Sequence, residues 1–132
     1  MHPRNRWFIA FSLIYAVVGG ALGVWQILWP GALPGLPARA HGHLMLLGFV
    51  AMMIYGVALH TLPRFANKPL YSERLANVQL VLANAGLVVL VVGWIGYWGP
   101  VRLVGGGLAW LAMVAFAYNI YRSVAARPSE GG

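Results

Sequence analysis

Apolar residues in this chain run in long blocks, with the polar and charged residues gathered between them. Four blocks stand out: about Trp7–Trp29, Ala38–Leu62, Glu73–Tyr97, and from Pro100 to about Tyr121. Each is longer than the roughly 18 residues that signal a transmembrane helix. Helices are one of the two backbone forms that satisfy every N–H and C=O inside lipid. The pattern predicts an all-α membrane protein with four transmembrane helices. Residues 1–125 form one transmembrane domain, and the polar tail, residues 126–132, reads as disordered.

The breaks between blocks carry their own chemistry. Pro30 to Pro37 (P-G-A-L-P-G-L-P) cannot be helical and predicts a stiff, extended loop. Pro63 is expected to stop the second span, and Pro69, Ser72 and Glu73 to mark the approach to the third. Gly99-Pro100 reads as a tight turn, with Pro100 in the first turn of span four. Trp25, Trp29, Trp94, Tyr97 and Trp98 suit interfacial aromatic belts. Gly19 and Gly23 form a G-x-x-x-G that admits a close backbone neighbour, or are glycines of the kind any membrane helix tolerates. Asn77, Gln79 and Asn84, the mid-span polar groups of span three, read as interhelical hydrogen bonders. The first span is too long, and too poor in a small-residue cleavage site, to read as a removable signal peptide.

Composition narrows the function. The chain is 61% hydrophobic and 8% charged, against about 45–50% and about 25% in soluble domains. There is no cysteine, which excludes disulfides, thiolate metal sites and a c-type haem attachment motif. The two acidic residues, Glu73 and Glu130, lie outside the apolar interiors, so a proton relay of buried carboxylates has no members here. The net charge of +7 is spread over the ends of the spans, as topology signals are, and forms no patch for nucleic acid. Seven basic residues (Arg4, Arg6, Arg64, Lys68, Arg74, Arg122, Arg127) fall on one side and two (Arg39, Arg102) on the other. The positive-inside rule then puts both termini in the cytoplasm, with the chain multi-pass in the inner membrane.

Candidate chemistry concentrates between Arg39 and Arg64. This apolar span holds His41, His43 and His60, three of the four histidines, and an ionisable or ligating side chain in a span is a functional-site hypothesis by default. At about 100° per residue, His41 and His43 point about 200° apart, so an intact helix cannot bring both to one ion. His60 lies roughly 25–28 Å along the axis from them. With no further ligand in the other spans, either no metal binds or subunits share it.

The segment A-R-A-H-G-H-L-M-L-L-G-F resembles the second transmembrane helix of subunit I of the haem–copper oxidases and nitric oxide reductases. In that family an A-H-G-x-x-M stretch supplies an axial histidine to the low-spin haem near the outer face. Its subunit has twelve helices in three pseudo-symmetric sets of four, and the equivalent tenth helix carries an H-x-H whose second histidine is the other axial ligand. His41-Gly42-His43 matches both patterns at once. The stretch is also similar to the H-x-H-x-M of membrane proteins linked to nitric oxide tolerance. The likeness covers about 25 residues strongly and the four-span layout weakly. It departs from the family in lacking the copper-site histidines and the proton-delivery carboxylates, which points away from an enzyme that reduces oxygen and pumps protons.

The resemblance implies b-type haem held at each interface of a ring-like homo-oligomer, a trimer being favoured, with His41 from one subunit and His43 from the next. Such a site serves electron transfer with a redox partner, or nitric oxide or oxygen binding if one ligand is weak. Arg39 is the candidate partner of a haem propionate, or equally an outer-face anchor. The alternative is a copper-handling or oxidase-assembly protein without haem, using His41, His43 and Met45. A plainer alternative leaves both histidines wet and unliganded at the interface. His60 is a candidate for a second site, with a structural role ahead of it. Gly48, Ala51 and Ala58 make a small-residue stripe at helical spacing, expected at the subunit contact or against the subunit's own helices.

Overall fold

The computed structural model describes residues 1–125; the tail read as disordered, residues 126–132, lies outside the described residues. The described chain is all helical: α1 (Pro3–Leu28), α2 (Pro37–Phe65), α3 (Glu73–Ile95) and α4 (Gly99–Val124), each long and apolar enough to cross a membrane. Side chains such as Val17, Ile27 and Leu103 face outward, as lipid-facing positions do in a chain of this composition. α2 is the central helix, with 39% of its apolar window buried against 17% for α1 and for α4. α1 packs along its length, its first half lies against α3, and its second half meets α4.

Local chemistry explains the ends. α1 starts earlier than the apolar block because Pro3 occupies the first turn and His2 Nδ1 accepts the Arg4 N–H at 3.1 Å. Ser72 caps α3, its hydroxyl accepting from the Leu75 N–H at 3.0 Å. Pro63 does not stop α2, which continues to Phe65 with the proline buried inside it. The proline withdraws one N–H and crowds the carbonyl four residues back, yet the helix carries on two residues beyond it; the chain reverses at Asn67, whose φ of 54° is left-handed, and Lys68 N–H closes back on the Pro63 carbonyl at 2.9 Å. The turn before α4 is likewise earlier than expected, at Gly96 to Trp98, with Tyr97 left-handed at φ 57° and Gly99 already helical.

α2 is not a uniform α-helix. Pro37–His43 and Met52–Phe65 are α-helical, but Leu44–Ala51 between them is π-helical. The i→i+5 pairing makes wider turns than 3.6 residues, so the histidine end and the His60 end are out of the phase a single α-helix would give. The stripe of small residues splits for that reason. Gly48 packs inside the subunit, where an added Cβ would lie 2.6 Å from Tyr15 Cβ and 3.0 Å from Leu87 Cδ2. Ala51 packs on the core around Phe8, Met52 and Tyr55, while Ala58 lines an open hollow with Ile54 and Val57. Gly48 and Ala51 thus pack against the chain's own helices.

Two features hold the bundle. α3 and α4 touch backbone to backbone, since a Cβ on Gly86 would meet Ala109 N at 2.5 Å, and one on Gly105 would run into the Leu90 backbone. At the basic end, the buried Arg4 guanidinium ion-pairs with Glu73 and bonds Asn5 Oδ1 at 2.9 Å, tying the start of α1 to the start of α3. Of the mid-span polar groups, Asn84 accepts the Tyr15 hydroxyl at 2.6 Å and Asn77 Oδ1 meets Arg4 at 3.5 Å. Gln79 departs from the expectation: it is fully buried and neither amide atom has a partner among the described residues.

Candidate functional site

The loop between α1 and α2 sets the site's position. Leu36 N–H donates to the Trp94 carbonyl at 2.9 Å, and Gly35, at φ 72°, lies flat against the Trp94 and Ile95 carbonyls, where a Cβ has no room. Gln26 Nε2 spans from α1 to the Pro37 carbonyl at 3.2 Å. The first turns of α2 are thereby fixed between α1 and the end of α3.

On those turns His41 and His43 diverge as helical geometry requires. His41 faces α1: its Nδ1 lies 2.7 Å from the Gly19 carbonyl oxygen, and its ring rests on Gly23, where a Cβ would come within 2.8 Å of Cε1. The G-x-x-x-G of α1 is therefore the seat of α2, and Gly23 in particular leaves room for an imidazole. His43 faces α3: its Nδ1 lies 2.7 Å from the Arg39 carbonyl and its ring stacks on Trp94, with centroids 5.7 Å apart and planes at 24°.

A carbonyl oxygen can only accept, so both Nδ1 atoms carry the proton. In the neutral ring the lone pair is then on Nε2. This is the arrangement found for metal-ligating histidines, whose second nitrogen donates to a carbonyl or carboxylate that fixes ring and tautomer. Each of two faces of α2 would supply one imidazole to a metal or cofactor, and the two rings point away from each other within one chain. His41 also lines an open hollow of about 480 Å³ whose wall includes Gly20, Gly23, Val24 and Ile27. The residues therefore fit one histidine ligand of a haem on each of two faces. Among the described residues, no three His, Cys, Asp or Glu side chains come together.

The remaining candidates sort around these two. Arg39 is exposed and sits over the Trp94 ring, 5.1 Å from its centroid. Arg102 covers the same ring at 4.7 Å and Tyr97 at 5.0 Å, and the buried Trp94 Nε1 has no hydrogen-bond partner among the described residues. Two guanidiniums, an indole N–H without a partner among the described residues and His43 thus share one corner at the histidine end of the bundle. Arg102 and Trp94 were not singled out as site residues from the sequence. A lone arginine after Pro100 and one belt tryptophan carry no signal until the α3–α4 turn brings them together. Met45 is one turn beyond His41 and packs on Gly19 near its sulfur, while His43 is on the other side, so the three donors of the copper alternative do not converge. His60 lies far along α2 from both, half-buried. The fourth histidine, His2, is a helix cap 3.8 Å from Glu73.

The fold and the paired imidazoles define the class: a multi-pass, four-helix membrane protein of the kind that presents histidines near one rim. No family model matches the chain, and no solved structure matches it. It is similar to a Cbb3-type cytochrome c oxidase subunit, CcoN1, of Stutzerimonas stutzeri, at 28% identity over 68% of this chain. The match takes in 26% of that subunit, so the chain spans about a quarter of its relative's length. The similarity supports a relationship at the level of the haem–copper oxidase superfamily.

Proposed function

We propose that the chain binds b-type haem in the membrane through histidines from neighbouring copies, His41 Nε2 of one and His43 Nε2 of the next. The copies form a ring-like homo-oligomer, with three the favoured closure. The observation that carries this reading is the matched placement of the two rings: each Nδ1 lies 2.7 Å from a backbone carbonyl oxygen, so that each ring, when neutral, presents its Nε2 lone pair, on opposed faces of one helix. Opposed, unlike faces are what a head-to-tail, ring-closing interface uses.

Bound haem supplies a one-electron iron centre. Two imidazoles leave no coordination position open, which favours electron transfer over chemistry on a gas. Within the chain, the Gly19 and Arg39 carbonyls hold the two rings in place. Arg39 and Arg102, stacked on the Trp94 ring, offer charge-assisted donors to haem carboxylates at the rim. His60 serves the bundle and not this site. The similarity to a subunit named for a cytochrome c oxidase supports a haem setting in a respiratory membrane. Oxygen reduction is not carried over from a relative of which the chain spans a quarter.

The test is visible absorption of the purified full chain with haem. A low-spin spectrum is expected, with His41→Ala and His43→Ala each turning it high-spin or abolishing it, and His60→Ala leaving it unchanged. A mixture of the two single variants should recover part of the low-spin signal, because some interfaces then join two intact histidines. Loss in His60→Ala with retention in His43→Ala would overturn the pairing. Stoichiometric copper without a Soret band would favour the copper alternative.

A further inference from the structure

At the opposite end of the bundle from the histidine pair, the α2–α3 loop and the end of α4 enclose a hollow of about 170 Å³ lined by Lys68, Tyr71, Arg122 and Ser123 among others. We propose that this hollow binds a phosphate group, supplied by the headgroup of an anionic phospholipid. The inference is independent of the haem reading.

The hollow is built rather than incidental. Tyr71 N–H donates to the buried Ser123 hydroxyl at 2.8 Å, and Ser72 N–H to Asn119 Oδ1 at 3.0 Å. Asn119 Nδ2 in turn donates to the Ser72 carbonyl at 2.8 Å. These bonds fix the loop to α4 and hold the walls. Arg122 lies over two aromatic faces, 4.6 Å from the Tyr71 centroid and 5.9 Å from that of Tyr118. Stacking holds the guanidinium plane and leaves its N–H edge free to donate. Lys68 Nζ bonds the Ala125 carbonyl, which uses one of its three protons.

Charge selects the ligand class. The one acidic side chain among the described residues, Glu73, is taken by Arg4, so the described chain offers Lys68 and Arg122 no carboxylate. Two cations around a small hollow call for an oxyanion with several acceptor oxygens. The source follows from place: the hollow lies at the rim of the spans, and Phe65 at the end of α2 and Tyr121 one residue before Arg122 on α4 are 80% and 67% exposed. Acyl chains can lie on those apolar surfaces while the phosphate diester sits between the cations. Basic pockets between transmembrane helices on the cytoplasmic side recognise anionic headgroups in this way.

Native mass spectrometry of the detergent-solubilised full chain with equal phosphatidylglycerol and phosphatidylcholine tests the proposal. Wild type is expected to retain phosphatidylglycerol preferentially. Lys68→Gln combined with Arg122→Gln should weaken retention roughly thirtyfold, from about fivefold per cation. Arg74→Gln, an exposed cation outside the hollow, should leave it unchanged. Equal retention of the two lipids, or an equal loss in Arg74→Gln, would overturn the proposal. Should the double variant fail to fold, photoactivatable phosphatidylglycerol on the wild type decides: labelling centred on residues 68–71 and 122–125 supports the site, and even labelling along all four helices refutes it. Excess inorganic phosphate should weaken lipid retention only partly, because the acyl chains add to the hold; binding of inorganic phosphate with no phosphatidylglycerol retained would refute the lipid as the source.

Discussion

Gly23→Ala gives the sharpest test of the histidine site, because it adds one methyl group and leaves both proposed ligands in the sequence. An added Cβ would stand 2.8 Å from His41 Cε1 and 3.0 Å from Nδ1. Ordinary carbon contacts need about 3.5–4.0 Å, so the ring has to move by roughly 0.7–1 Å. The Nδ1–Gly19 bond of 2.7 Å would then stretch to or past the limit of about 3.2 Å for N–H···O. Losing such an orienting partner typically costs 10–100-fold in metal affinity, and that is the expected drop in haem affinity in a spectroscopic titration. The control is Gly107→Ala on α4, where an added Cβ meets nothing within 4 Å. Alanine favours a helix over glycine by about 1 kcal/mol, so an account in which glycines are mere tolerated residues predicts no loss in either variant. Wild-type haem affinity in Gly23→Ala, or equal losses in both, would refute the role given to the Gly19 carbonyl and His41.

Gly105→Ala should open the α3–α4 contact, because its Cβ runs into the Leu90 backbone; overpacking of this kind costs about 1–3 kcal/mol, readable as earlier unfolding in mixed micelles. Tyr15→Phe removes the 2.6 Å bond to Asn84 and should cost about 0.6 kcal/mol, the mean for such bonds between membrane helices; a double-mutant cycle with Asn84→Ala isolates the coupling. Reporter fusions should put both termini in the cytoplasm, and an external C-terminus would invert the assignment of both rims.

The four spans, their number and their approximate limits followed from block length and the absence of charge, because a backbone in lipid has few ways to close its hydrogen bonds. The divergence of His41 and His43 also followed from the sequence, since helical phase over two residues does not depend on what surrounds the helix. Ser72 as a start signal was legible for a similar reason: a cap acts within its own turn. Longer-range phase was not legible. The π-helical stretch Leu44–Ala51 lies where Gly48 lets Tyr15 and Leu87 press close, so a stripe drawn at α spacing from Gly48 to Ala58 lost its register. Pro63 misled because it removes one donor, whereas the reversal at Asn67 ends the helix.

Tertiary structure alone decided what surrounds each imidazole. Sequence could name His41 and His43 but not their tautomers, which depend on where the Gly19 and Arg39 carbonyls fall. Arg102 and Trp94 join the site only because the α3–α4 turn folds them back onto the α1–α2 loop. Likewise the hollow at Lys68 and Arg122 joins residues more than fifty positions apart through bonds from Ser123 and Asn119 to the loop. Hydrophobic blocks specify which segments enter the membrane. Which polar side chains meet is set by close approach at a few small residues, where a single methyl group decides whether two helices touch.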